Sequence, residues 1–295
     1  MKELQACRYD VFSLVITELY SHLPMDLVFN NLQNLMSLQL TYGAKHMGME
    51  YERPHIGMKM SDAQFLQDCL KTTNNLIRLS LPGNLIDDDL VSILSKGLML
   101  NKTITQLDLS HNKIGNQGAR KIAKYLLKTQ ILTHLDLSDN QIEYHGSRFL
   151  AQGIKENTSL LDFNLKLNRI DNKGGQKLCI DLMGHKGLVL QRLNLSSNAL
   201  GKGFAESLAE LIKKNQTLKS IDISCNFIDD GSASTLSTLK DSLRSNPRIV
   251  EFDMRNNEVQ DETEDEIKQI ITKNKLESQG IPFSKLAECK FFVIV

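Results

Sequence analysis

Cysteine is scarce in this chain, net charge is nil, and no apolar run is long. The five cysteines (Cys7, Cys69, Cys179, Cys225 and Cys289) are odd in number and scattered, and none forms a CxxC pair. That spacing indicates neither a zinc site nor a redox dithiol, and it fits an intracellular, reducing compartment. Lys plus Arg and Asp plus Glu both number 35, so the basic excess of a nucleic-acid or anionic-membrane binder is absent. No segment approaches the ~20 apolar residues that span a bilayer, and the opening MKELQACRYD lacks a signal-peptide core. Neither nucleic acid nor membrane is therefore expected as a partner. The seven histidines (His22, His46, His55, His111, His134, His145 and His185) have no second His or Cys at ligand spacing. Phosphate loop, nucleophile elbow and metal motif are also missing, so no cofactor and no catalytic residue is expected. What remains is an ordinary folding composition, 41% hydrophobic and 24% charged,.

Seven asparagines organise the rest: Asn84, Asn112, Asn140, Asn168, Asn198, Asn226 and Asn257, separated by 28, 28, 28, 30, 28 and 31 residues. Each closes one nine-residue phrase: LIRLSLPGN (76–84), ITQLDLSHN, LTHLDLSDN, LLDFNLKLN, LQRLNLSSN, LKSIDISCN and IVEFDMRNN (249–257). The alternating middle of the phrase is a strand signal. Glycine or acidic residues follow, then segments such as ARKIAKYLLK (119–128) and AESLAELIKK (205–214) with apolar residues three and four apart, a helix signal,. A fixed period of this kind means stacked copies of one strand–turn–helix unit. Strands stacked about 4.8 Å apart and helices needing about 8–10 Å force a curve, with parallel strands on the concave wall and helices outside. The asparagines are read as a structural ladder, because an amide both donates to and accepts from buried turn backbone. Three triplets of glycosylation type (Asn101, Asn157 and Asn215) share one phase of the repeat, and repetition accounts for them.

An eighth, degenerate copy, LMSLQLTYG (35–43), has Gly43 in the Asn position and is followed by an inserted loop, 44–59. Residues 1–34 read as a helical N-terminal cap, with Val11, Leu14, Val15 and Leu19 on one face. The solenoid spans 35–275, and 276–295 reads as a C-terminal cap or tail. The final KFFVIV leaves two readings open, a cap on the last repeat or a partner-binding tail,.

The polar slots of the strands form a column on the concave wall: Ser80, Asp108, Asp136, Asn164, Asn194, Asp222 and Asp253. Beside it lie Arg78, Gln106, His134, Asp162, Arg192, Ser220 and Glu251. Two readings stand, a solvated sheet face and a docking surface for a basic or polar segment. The candidate partner-binding residues are Arg78, Asp108, His134, Asp136, Asp162, Asn164, Arg192, Asn194, Asp222, Asp253 and Arg255. His111 and His134 are expected on the same wall near Asp108 and Asp136. The Asp slot accepts any small polar residue, so contact or structure accounts for the grouping better than acid–base chemistry. Arg120, Lys124 and Lys128 on one helix read as a solvated stripe,.

The 28-residue period and the LxxLxLxxNxI phrase resemble the ribonuclease-inhibitor class of leucine-rich repeats. That implies an α/β solenoid, or horseshoe, of about eight repeats. Three runs, LTYGAKHMGMEY (40–51), LKLNRIDNKGGQKL (165–178) and IVEFDMRNNEVQDETEDEI (249–267), are similar to the dynein regulatory complex subunit 5 (T-complex-associated testis-expressed) family. This resemblance implies a non-enzymatic subunit of the nexin–dynein regulatory complex in the axoneme of motile cilia. Its partners would be other leucine-rich-repeat and coiled-coil subunits, with doublet microtubules or dynein engaged indirectly. Members of that family usually carry a sizeable region before the repeats, so the resemblance also implies a short form that keeps the repeat module. Two other classes share the repeat. A GTPase activator of the Ran-activator type would bring an acidic tail and a prominent loop Arg, and neither stands out. A ribonuclease-inhibitor-like ligand binder would be cysteine-rich with two alternating repeat types, and this chain is neither.

Overall fold

The computed structural model describes residues 6, 8–19, 22, 25–43, 57–184, 187–229 and 233–281. Nine strands form one sheet in chain order, every neighbouring pair parallel. They are β1 (Ser13–Leu19), β2 (Ser37–Tyr42), β3 (Arg78–Ser80), β4 (Gln106–Asp108), β5 (His134–Asp136), β6 (Asp162–Asn164), β7 (Arg192–Asn194), β8 (Ser220–Asp222) and β9 (Glu251–Asp253). The helices are α1 (Met25–Asn31), α2 (Met60–Thr72), α3 (Asp88–Leu98), α4 (Asn116–Lys128), α5 (Tyr144–Lys155), α6 (Asp171–Met183), α7 (Lys202–Lys214), α8 (Ala233–Ser245) and α9 (Asp261–Ser278). α1 to α8 each link one strand to the next, as parallel pairing requires, and α9 follows β9.

The fourth position of the phrase packs in register along the sheet: Leu79, Leu107, Leu135, Phe163, Leu193, Ile221 and Phe252. From Leu79 to Ile221 these side chains are at most 2% exposed, and they meet the inward faces of the helices in one continuous core. Burying each contributes about 1.5–3 kcal/mol. Neighbouring helices approach closely where side chains are small. A Cβ on Gly153 of α5 would lie 2.8 Å from the Ala123 carbonyl oxygen of α4.

The ladder asparagines face backwards along the solenoid. Asn140 accepts from Ile114 N–H of the preceding repeat (3.0 Å) and donates to the carbonyls of Leu109, Leu137 and Ser138. Asn112, Asn168, Asn198, Asn226 and Asn257 repeat this pattern with Ile86, Ile142, Ile170, Leu200 and Ile228, and Asn84 takes Tyr42 N–H. A second row runs along the return from helix to strand. Asn101 Oδ1 accepts from Thr103 and Ile104 N–H while its amide donates to Leu70 O; Asn157 does the same with Ser159, Leu160 and Leu126. Asn215, Asn246 and Asn274 continue the row. The glycosylation-like triplets are thus buried turn anchors. A third row caps helices across repeats: Asp88 of α3 accepts from Gly115 N–H (2.7 Å) and Gln117 N–H, and Asn116 of α4 accepts from Gly146 N–H (2.7 Å).

The N-terminal reading needs correction. Residues 13–19 are not helical; they form β1, paired parallel with β2 through Ser13–Ser37, Val15–Gln39 and Leu19–Tyr42. The spacing of Leu14, Val15 and Leu19 fits a helix, but Val15, Ile16 and Thr17 are consecutive β-branched residues, and the edge of β2 offers unpaired backbone. The sheet therefore has a ninth strand ahead of the eight phrases, and α1 follows it. Most of the inserted loop (44–56) and the KFFVIV tail lie outside the described residues. The loop returns at Gly57, whose φ of 80° and contact distance of 2.9 Å from a built Cβ to Asn84 O admit only glycine there,.

Candidate protein-docking surface

The third and fifth positions of each phrase point away from the helices and stack strand upon strand,. In the fifth position an Asx oxygen accepts from the backbone N–H two residues on. Asp108 accepts from Ser110, Asp136 from Ser138, Asn164 from Lys166, Asn194 from Ser196, Asp222 from Ser224 and Asp253 from Arg255, all at 2.8–3.0 Å. This Asx turn explains why Asp or Asn recurs there. In three repeats the serine hydroxyl also donates to the same oxygen. The signal was legible as a recurring Asx–apolar–Ser triplet.

The second oxygen of each column aspartate is bonded sideways. Asp108 accepts from Ser80 Oγ (2.7 Å), Asp136 from Asn164 Nδ2 (2.9 Å) and Asp222 from Asn194 Nδ2 (3.0 Å). The donors on these three carboxylates are neutral, so their charge remains available to a cation. Asp253 differs: Arg255 closes on it with Nε and Nη2, at 2.6–3.1 Å. These hydrogen bonds, ahead of the guanidinium's field, hold the Asp253 carboxyl below the usual carboxylate range.

In the third position the structure brings together Asp162, Arg192 and His134 across three strands. Arg192 Nε donates to Asp162 (2.7 Å), and its Nη2 lies 3.2 Å from His134 Nε2. Because a guanidinium only donates, Nε2 is the acceptor and the proton sits on Nδ1, facing Thr133 Oγ1 at 2.8 Å,. Arg78 stands apart from the acids and donates to Gln106 (2.6 Å). Arg78, Asp108, His134, Asp136, Asp162 and Asn164 line one shallow hollow of about 370 Å³. Arg192 and Asn194 lie beyond it, and Asp222, Asp253 and Arg255 line a separate hollow at the other end. His111 does not join His134. It sits in a turn at φ 57° and pairs with Asp139 at 2.8 Å, so the expected grouping with Asp108 and Asp136 does not form.

Among the described residues, no group of three or more His, Cys, Asp or Glu side chains is placed to hold a metal ion. No helix there is long and apolar enough to cross a membrane. Among the described residues this face carries fixed carboxylates and one guanidinium–imidazole–carboxylate chain, set in shallow hollows.

The period, the parallel sheet and the asparagine rows define a leucine-rich repeat solenoid. A family model described as Leucine Rich repeat matches residues 100–123, 130–151, 156–179 and 214–237. Dynein regulatory complex subunit 5 of Chlamydomonas reinhardtii is 42% identical over 77 residues, 26% of this chain. The match spans 20% of that relative's length. This partial match supports the resemblance to the dynein regulatory complex subunit 5 family. Among solved structures, an internalin from Listeria monocytogenes aligns over 77% of this chain and 49% of its own, at 22% identity and a TM-score of 0.45. The actin-binding site 2 of leiomodin-1 aligns over 49% of this chain and 78% of its own, at 23% identity and a TM-score of 0.42.

Proposed function

We propose that this chain is a non-enzymatic scaffold subunit of the nexin–dynein regulatory complex in the ciliary or flagellar axoneme. In that place it docks other subunits of the linker and helps regulate dynein-driven motility. The observation that carries the reading is the 42% identity with a dynein regulatory complex subunit, in a chain built of repeats that present one extended face. Its partners are other leucine-rich-repeat and coiled-coil subunits, and microtubules or dynein are reached through them. Docking uses the concave column, where Asp108, Asp136 and Asp222 have neutral donors only and attract a basic segment.

Two measurements test this. Detergent-extracted motile cilia should retain the chain with the axoneme and release it at high salt together with linker subunits; recovery in the soluble fraction would remove the ciliary reading. Asp136→Asn with Asp222→Asn, which removes the charge but keeps an oxygen for Ser138 and Ser224 N–H, should release those subunits while circular dichroism remains that of the folded protein. Undiminished binding would place the contact on another face.

A further inference from the structure

Outward cations are paired within most of the longer helices. Lys71 meets Asp68 on α2, Lys177 meets Asp181 on α6, Lys214 meets Glu210 on α7, Arg244 meets Asp241 on α8 and Lys268 meets Asp265 on α9. These pairs lie three or four residues apart, at 2.7–3.3 Å. Pairing of this kind keeps a solvated helix face close to neutral. The helices α4 and α5 are built otherwise: their sequences, NQGARKIAKYLLK and YHGSRFLAQGIK, hold no Asp or Glu. Arg120, Lys124 and Lys128 on α4 are exposed, as are Arg148 and Lys155 on α5, and Lys96 of α3 is exposed one repeat before Lys124. Among the described residues none of these six is in an ion pair. The acids near the helix starts are turned to other groups: Asp88 accepts from Gly115 N–H and Glu143 from Asn116 Nδ2. Glu156, in the Lys128 position of the next repeat, marks the end of the cationic area.

Small residues bring the two helices together. A Cβ on Gly146 would lie 3.2 Å from Ala119 Cβ, and one on Gly153 would meet the Ala123 backbone. The cations therefore form one surface, with neighbours about 5–6 Å apart along a helix and about 8–10 Å apart across helices. Arg120 lies over the Phe149 ring, 5.4 Å from its centroid, which ties the α4 cation to α5,. Two apolar side chains stand among the cations. Leu127 is 46% exposed, and Leu100, in the Lys128 position of the preceding repeat, is 60% exposed.

We propose that the outer face of α4 and α5 binds an acidic amphipathic helix of a partner protein. Carboxylates three and four residues apart on that helix lie over the cations, and its apolar side chains cover Leu127 and Leu100. A phosphate backbone would meet the cations and offer nothing to the leucines, and the chain as a whole has no net charge to draw one,. This face lies on the opposite side of the solenoid from the carboxylate column, so two partners of opposite charge can be held at once. The inference does not rest on the ciliary reading.

Fluorescence anisotropy tests it, with the full chain titrated into a labelled helical peptide of glutamate, alanine and leucine that carries glutamate at i and i+4. Lys124→Glu with Arg148→Glu should weaken binding about tenfold. Lys124→Gln with Arg148→Gln should weaken it less, and it keeps the test valid if the reversed pair folds poorly. Lys213→Glu with Lys214→Glu, an equal change of charge on α7, should leave binding nearly unchanged. Asp136→Asn with Asp222→Asn should also retain the peptide, which separates this face from the concave docking surface. Absence of binding at low salt would overturn the proposal, as would equal weakening by the α7 pair or full binding by both α4–α5 pairs. Tighter binding of a DNA duplex or of phosphatidylserine vesicles through Lys124 and Arg148 would assign the face to a phosphate ligand and overturn it as well.

Discussion

Replacing Asn140 with Leu isolates one rung of the asparagine ladder. Asn140 is 6% exposed and makes four hydrogen bonds, but they are not equally replaceable. Leu109 O also accepts from Asn112, Leu137 O from Asn168, and Ser138 O from His111 N–H. Only Ile114 N–H is left without a partner. One buried, unpaired donor costs about 1–3 kcal/mol, which at roughly 2–4 °C per kcal/mol for a chain of this size lowers the melting temperature by several degrees. The same change at Asn257 should cost less, because that residue is half-buried and water can reach Ile228 N–H. Urea and thermal unfolding of Asn140→Leu and Asn257→Leu, followed by far-ultraviolet circular dichroism, give the comparison. An unchanged midpoint for Asn140→Leu, or a larger loss at Asn257, would refute the account of the ladder.

Asp88→Ala removes the acceptor of Gly115 and Gln117 N–H at the start of the next helix; a loss of about 1 kcal/mol in urea unfolding is expected, and Asp88→Asn should restore most of it. Asp253 should titrate below the ordinary carboxylate range by nuclear magnetic resonance and move back up in Arg255→Ala. A carboxylate with a depressed folded pKa stabilises above its unfolded pKa, and that contribution disappears as pH falls through the folded value. Any stability difference between the two proteins at neutral pH should therefore vanish in acid.

The strand phrase and the ladder asparagines were legible because each position is forced by a period that repeats seven times. The turn before each asparagine was not. Gly83, His111, Asp139, Leu167, Ser197, Cys225 and Asn256 all adopt φ between 50° and 67°, yet Leu167, Ser197 and Cys225 are not residues that favour it. From Gly83 to Cys225 the N–H of each is held by the next strand's carbonyl, so tertiary pairing overrides local preference. The cross-repeat helix caps were hidden for a related reason: Asp88 and Asn116 act on a helix 27 to 30 residues away, beyond any local capping pattern. On the candidate docking face the polar columns could be placed from alternation alone. The pairing of Arg192 with both Asp162 and His134 depends on side-chain reach across strands, which spacing does not encode.

The backward reach of the ladder gives the array a polarity, like that of a filament with two unlike ends. Each asparagine serves the turn of the repeat before it, so a repeat needs its successor's amide more than its own. That is why Gly43 can stand where an asparagine is expected. There Gly43 N–H donates to Leu19 O at 3.0 Å. Losing the repeat of β2 would free the Asn84 side chain and the Ile77 and Arg78 N–H groups that donate to Met36 O, but it would take no ladder acceptor from a later repeat. Losing one from the trailing end would strip the acceptor from Ile228 N–H. In the ladder alone, then, the first copy is the one that can do without its asparagine, and every later copy is needed by the repeat before it.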